Sequence, residues 1–191
     1  MRLLSPARGP VTAALVLALL AGPPAASADL RISDFDVFLN DNEVTIHFVL
    51  LGAVPPSFAE GIQSGIPTQY RYTVELWQYN RLWRDSLLIR KVIVRQLDYN
   101  VVAKEFKVTT LRGETRPPHL TRELHDAQRV ISEVRGVKLT PATAVDPNEI
   151  LYVRVQAEAA LNGEHTWVGR MSGTAEQASR QSEYRTIFRR Q

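Results

Sequence analysis

Apolar side chains recur at every second position along much of this chain, the period of a strand with one covered face. Between Glu43 and Leu51, Val44, Ile46, Phe48 and Leu50 share one face, with Thr45 and His47 opposite. Phe35, Val37 and Leu39 alternate before them, and Asn40-Asp41-Asn42 in between is turn chemistry, so a β-hairpin is predicted. Pro55-Pro56 ends the second strand. Residues Ser57–Ser64 then suit a short helix with Phe58 and Ile62 on one side, Ser57 near its N-cap and Gly65 at its end. Tyr70, Tyr72, Val74 and Leu76 alternate with Arg71, Thr73 and Glu75, while Trp77 and Tyr79 fall on the polar side. Leu87–Tyr99 holds Val92-Ile93-Val94 and reads as a strand covered on both faces, and Lys104–Thr110 alternates once more.

The period changes near Thr121–Arg135. Leu120, Leu124, Ala127, Ile131 and Val134 draw one helical stripe, with Thr121 as N-cap and Gly136 as the stop. Alternation returns over Leu151–Ala159, and Asn162-Gly163 suits a two-residue hairpin turn with a returning strand over His165–Met171. A last strand is expected within Tyr184–Phe188. Runs of strands broken by one helix predict a mostly β (α+β) domain, an antiparallel β-sandwich-like body of about seven strands with one main helix.

Arg2 and Arg8, the apolar run Val11–Ala21, the breakers Gly22-Pro23-Pro24 and the small residues Ala26-Ser27-Ala28 have the order of a cleavable signal peptide. Residues 1–28 are therefore expected to be removed after export. Residues 29–191 then form a single β-rich domain, with 174–191 a peripheral tail or last strand. An 11-residue apolar run falls short of the roughly 20 residues of a membrane span. The prediction is a periplasmic protein.

Export alters the charge argument. The whole chain has 23 basic and 20 acidic residues, a net +3. Losing two arginines and no acids leaves 21 against 20, a net +1. A nearly neutral exported body is not expected to bind nucleic acid. The chain has no cysteine, which excludes disulfides, thiolate metal sites and a cysteine nucleophile.

Candidate chemistry is sparse. Asp34, Asp36, Asp41 and Glu43 bracket the first turn without the order or central glycine of a calcium loop. His47, His119, His125 and His165 lack zinc-motif spacing. In Gly61–Gly65 and Gly169–Gly173 the serine stands one place too late for a nucleophile elbow. No catalytic residue, metal ligand or cofactor is assigned. Arg81, Arg84, Arg90, Lys91 and Arg95 form one basic cluster and Arg180, Arg185, Arg189 and Arg190 another, either of which suits anionic lipid headgroups or an acidic protein. A hairpin about Asn162-Gly163 would set Glu158 opposite Trp167 and Ala157 opposite Val168. Trp167 then joins Tyr152 and Arg154 on a polar face, and these three are the candidate binding residues.

Ala28-Asp29-Leu30-Arg31-Ile32, Ser64-Gly65-Ile66-Pro67, the aromatic strand Tyr70–Tyr79, Trp83, Leu97-Asp98-Tyr99 and Glu105-Phe106-Lys107-Val108 resemble, in that order, a family of uncharacterised exported bacterial proteins, domain-of-unknown-function family number 4390. The resemblance covers nearly all of the mature chain and carries no reaction. It implies an envelope setting and a genomic neighbourhood shared with an envelope sensor kinase, which points to signalling. The function expected is a non-enzymatic periplasmic binding or interaction module serving such a kinase. The alternatives are a hydrolase of an envelope polymer and a structural envelope protein contacting anionic lipid.

Overall fold

In a computed structural model of the chain, the alternation from Phe35 to Leu51 folds into the expected antiparallel hairpin of β1 (Arg31–Asn40) and β2 (Glu43–Leu51). Asp41 and Asn42 both take positive φ, at 48° and 60°, as a two-residue turn of this kind demands. The structure describes residues 30–146, 148–163, 169, 171–172, 175–182 and 185–186. The remaining elements are α1 (Pro56–Gln63), β3 (Thr68–Gln78), β4 (Ser86–Asn100), β5 (Glu105–Arg112), β6 (His119–Thr121), α2 (Leu124–Ser132), β7 (Glu133–Pro141), β8 (Ile150–Leu161), β9 (Ala175–Gln181) and β10 (Arg185–Thr186).

The described strands number ten, not about seven, and they form two antiparallel sheets. The small sheet has the order β1-β2-β7. The large one runs β8-β3-β4-β5-β6, with β9 and β10 both laid along the outer edge of β8. Tyr70, Tyr72, Val74 and Leu76 of β3 share the inner face of the large sheet with Ile93 and Leu97 of β4 and with Val153, Val155 and Ala157 of β8. They pack on Ile46, Phe48 and Leu50 of β2, on Phe58 and Ile62 of α1, and on Ala127 and Ile131 of α2. The body is thus a β-sandwich with helices tucked between its sheets. The outer face of the large sheet is only half covered. Val92 and Val94 lie on it, so β4 is not covered on both faces as expected.

The main helix is shorter than the apolar stripe suggests. It ends at Ser132 and passes without a loop into β7. Val134, counted on the helical stripe, is a strand residue opposite Phe48, and Val137 stands opposite Ile46. Three residues of β7 therefore span two of β2, a bulge, and Gly136 sits in it with φ of 66°. The bulge turns both valines inward and erases the alternation that would have marked a strand.

The returning strand is also corrected. Gly169 and Met171 are helical, and the strand beside β8 is β9, with Glu158 opposite Gln177 and Ala157 opposite Ala178. The other edge of β8 is taken by β3. The polar, small-residue run of β9 suits an edge strand, where a polar exposed face is an advantage. Asn162 and Gly163 do take the positive φ of the expected turn, at 55° and 70°. Trp167 and the other residues of 164–168 lie outside the described residues. The first helix begins after Pro55, with no side-chain cap, so Ser57 lies in its first turn and is not the N-cap.

Two buried tyrosines and a buried arginine find partners in the core, while the Thr68 and Thr110 hydroxyls have none among the described residues. The Tyr70 hydroxyl donates to the Ala53 carbonyl and the Tyr72 hydroxyl to that of Ile131, both at 2.8 Å. Burial pushes both phenols up, so they stay protonated donors. Arg95 is the largest fully buried side chain. Its Nε donates to Glu114 Oε1 at 2.6 Å, and its Nη1 reaches the carbonyls of Val130 (2.8 Å), Ile131 (3.0 Å) and Glu133 (2.8 Å). The guanidinium so caps the C-terminus of α2, where the helix dipole favours a cation.

Candidate functional site

The outer face of the large sheet brings aromatic and charged residues together at the end where β3 passes into β4. Trp77 of β3 stands directly opposite Tyr152 of β8, and Glu75 opposite both Arg154 and Arg90. The Trp77 and Tyr152 rings are parallel to within 6° at 6.4 Å, an offset stack. The Arg154 guanidinium lies 5.2 Å from the Trp77 ring centre. Glu75 accepts from Trp77 Nε1 at 2.9 Å and from Arg90 Nε at 2.8 Å.

This cluster is the footing of the β3–β4 loop. The Tyr152 hydroxyl donates to Asp85 Oδ2 at 2.8 Å. The Asn80 N–H donates to Asp85 Oδ1 and the Leu82 N–H to Asn80 Oδ1, each at 3.1 Å. Asp85 thereby closes the loop on itself, and two side-chain acceptors fix its backbone. Held on this footing, Leu82 is 90% exposed and Trp83 81%. Arg81 and Arg84 flank them, and all four line an open hollow of about 490 Å³. Among the described residues, neither Arg81 nor Arg84 has an acidic partner within 4 Å.

Tyr152 and Arg154 thus share the face on which alternation places them, with Trp77 stacked on the one and beneath the guanidinium of the other; Trp167 lies outside the described residues. Tyr152 is only 3% exposed, so it positions the loop and offers little surface of its own. The basic cluster expected over Arg81–Arg95 is dispersed. Strand alternation sends Arg90 to the outer face, bound to Glu75, and Arg95 into the core. Lys91 reaches the Lys138 carbonyl of the small sheet. Only Arg81 and Arg84 remain together. Leu82 and Trp83 do not stand out as a site in the sequence. Their signal is an adjacent apolar pair inside a polar connection between two strands.

The acids of the first turn do not form a loop of ligands. Glu43 pairs with Lys138 at 2.6 Å across the small sheet. Among the described residues, no group of three His, Asp or Glu side chains has a metal-binding arrangement. His119 Nε2 lies 2.7 Å from Asp126 Oδ2, and Arg129 Nη2 donates to Asp126 Oδ1 at 2.6 Å. This chain of contacts fastens β6 to the first turns of α2. The hydrogen bond from His119, then that from Arg129, hold the Asp126 carboxyl at about 2, below its ordinary 3.8. A general acid needs the opposite shift. A carboxylate with a depressed value stabilises the fold above its unfolded pKa and loses that contribution as pH falls toward the folded one. Unfolding by urea at pH 5, 4, 3 and 2 is expected to show part of the acid destabilisation between pH 4 and 2 disappear in Asp126→Asn. An identical pH profile for the two proteins would remove this account.

Neither curated proteins nor solved structures match this chain. The family described as Domain of unknown function (DUF4390) matches residues 27–162, most of the chain including β1 to β8, and the protein belongs to that family.

Proposed function

We propose that this protein is a non-enzymatic interaction module of the bacterial envelope, exported to the periplasm by its N-terminal segment, and that it engages its partner with the loop between β3 and β4. The observation that carries this reading is the exposure of Trp83 and Leu82 on a loop whose base is fixed by Asp85, Tyr152 and Trp77. Large apolar side chains are seldom left in water on a pre-organised loop without a use, and fixing the loop in advance lowers the entropy cost of binding. Trp and Arg are also the residue types that dominate binding energy at interfaces. The envelope setting that the resemblance implies makes a membrane-bound sensor kinase the first protein to look for nearby.

A photo-crosslinking amino acid at position 83, compared with one at Val102, tests the assignment in living cells. Val102 is 95% exposed in the turn after β4, at the opposite end of the same strand. Adducts to an envelope component, protein or lipid, are expected from position 83 and not from 102. Equal labelling from both positions would remove the β3–β4 loop as the binding end.

A further inference from the structure

We infer that the occupant of the β3–β4 loop is the headgroup region of an anionic lipid bilayer. This deepens the reading of that loop as the binding end and rests on it. Arg81-Leu82-Trp83-Arg84 places two apolar side chains between two arginines on the turn of a strand pair. A tip of four residues is small beside the roughly 20–30 residues a side of a standard protein interface. It is sufficient for a membrane surface, where a Trp ring settles at headgroup depth and a neighbouring Leu reaches the acyl boundary.

The charges agree with this occupant. Arg81 and Arg84 have no acidic partner among the described residues, so both are available to lipid phosphates, which guanidinium binds in a bidentate manner. The nearby Asp85 and Glu149 keep their charge but are turned to neutral donors, Asp85 to the Tyr152 hydroxyl and the Asn80 N–H and Glu149 to the Gln78 side chain, so neither pairs with Arg81 or Arg84. Ile150, 41% exposed, sits beside the loop, because the Tyr79 N–H donates to its carbonyl. Leu87 and Leu88, 39% and 41% exposed, come directly after the loop on β4 and extend the apolar rim. The rigid footing means that contact costs little ordering.

The test is sedimentation of the protein as isolated from cells with vesicles of pure phosphatidylcholine or of phosphatidylcholine containing about 30% phosphatidylglycerol as probe. Binding is expected to the anionic vesicles, weaker at high salt. Leu82→Ser/Trp83→Ser and, separately, Arg81→Glu/Arg84→Glu should each lower the partition coefficient at least about tenfold, since burying two large apolar side chains or placing two cations at a charged surface is worth more than one decade. Val102→Ser should leave it unchanged. All these positions are exposed, and an unchanged melting curve would show that the variants fold. Absence of the wild type from the anionic pellet, or undiminished binding of both tip variants, overturns the lipid assignment. If the position-83 crosslinker captures one defined protein while vesicles are ignored, lipid falls and the loop as binding end stands. If neither is seen, both fall.

Discussion

Arg95→Met should lower the stability of this protein by about 3–5 kcal/mol, the cost of breaking a buried ionic group by removing one partner. For a domain of this size that corresponds to a fall in Tm of roughly 10 °C. The loss has a definite location. Glu114 is partly exposed and can take water when its partner is gone. The carbonyls of Val130, Ile131 and Glu133 lose their Nη1 donor at the junction of α2 and β7. Ile131 keeps the Tyr72 hydroxyl, so the cost falls on the Val130 and Glu133 carbonyls, since a buried acceptor that loses its donor is the expensive outcome. Glu114→Gln should therefore cost less than Arg95→Met. Arg95→Lys should recover only a part, because an ammonium group cannot reproduce the planar fork. Chemical denaturation of the three variants measures the order. An Arg95→Met protein as stable as the wild type would show that this buried charge does not hold the helix end.

Gly113→Ala is the second large effect. Gly113 has φ of 91°, and a Cβ there would lie 2.3 Å from the Val92 carbonyl oxygen. The carbonyl belongs to a strand and cannot rotate away. Backbone strain of this kind alone costs on the order of 1–3 kcal/mol, and the overlap adds to it. A loss of about 3 kcal/mol or more is expected, read from urea midpoints. Leu111 is an extra residue on β5 between the Thr110–Arg95 and Arg112–Val94 pairs, and Gly113 then turns the chain close over β4. That path delivers Glu114 to Arg95. The two substitutions therefore act on one arrangement, and their combined effect should be smaller than the sum of the separate ones. Strict additivity would contradict the coupling.

Legibility tracks periodicity. The core faces of β2, β3 and β8 are readable because Val44 to Leu50, Tyr70 to Leu76 and Leu151 to Ala159 keep a strict period of two. Where a bulge interrupts that period, as at Gly136 in β7, two inward valines at a spacing of three imitate a helix, and the apolar stripe overstates the length of the main helix. β9 escapes detection for another reason. Its side chains are small and polar because it borders the sheet, so its membership is set by pairing with β8 and leaves no trace in hydropathy. Arg95 is legible as a basic residue but not as a core residue, since only the fold brings three carbonyls and a carboxylate to it. The exposed loop is half visible. Alternation puts Tyr152 and Arg154 on the right face, but Trp77 and Trp83 are joined to them only through the register of β3 against β8 and the fold-back of Asp85.

The family boundary and the fold boundary do not coincide. The match ends at Asn162, one residue beyond β8, whereas β9 and β10 come later in the chain and occupy that strand's outer margin. A protein cut at the family limit would present most of a twelve-residue strand with its amides and carbonyls unpaired on one side, an invitation to another copy. The segment beyond the family match is thus a chaperone in cis for the strand at its border, and a relative with a different tail must find its own way to cover that margin.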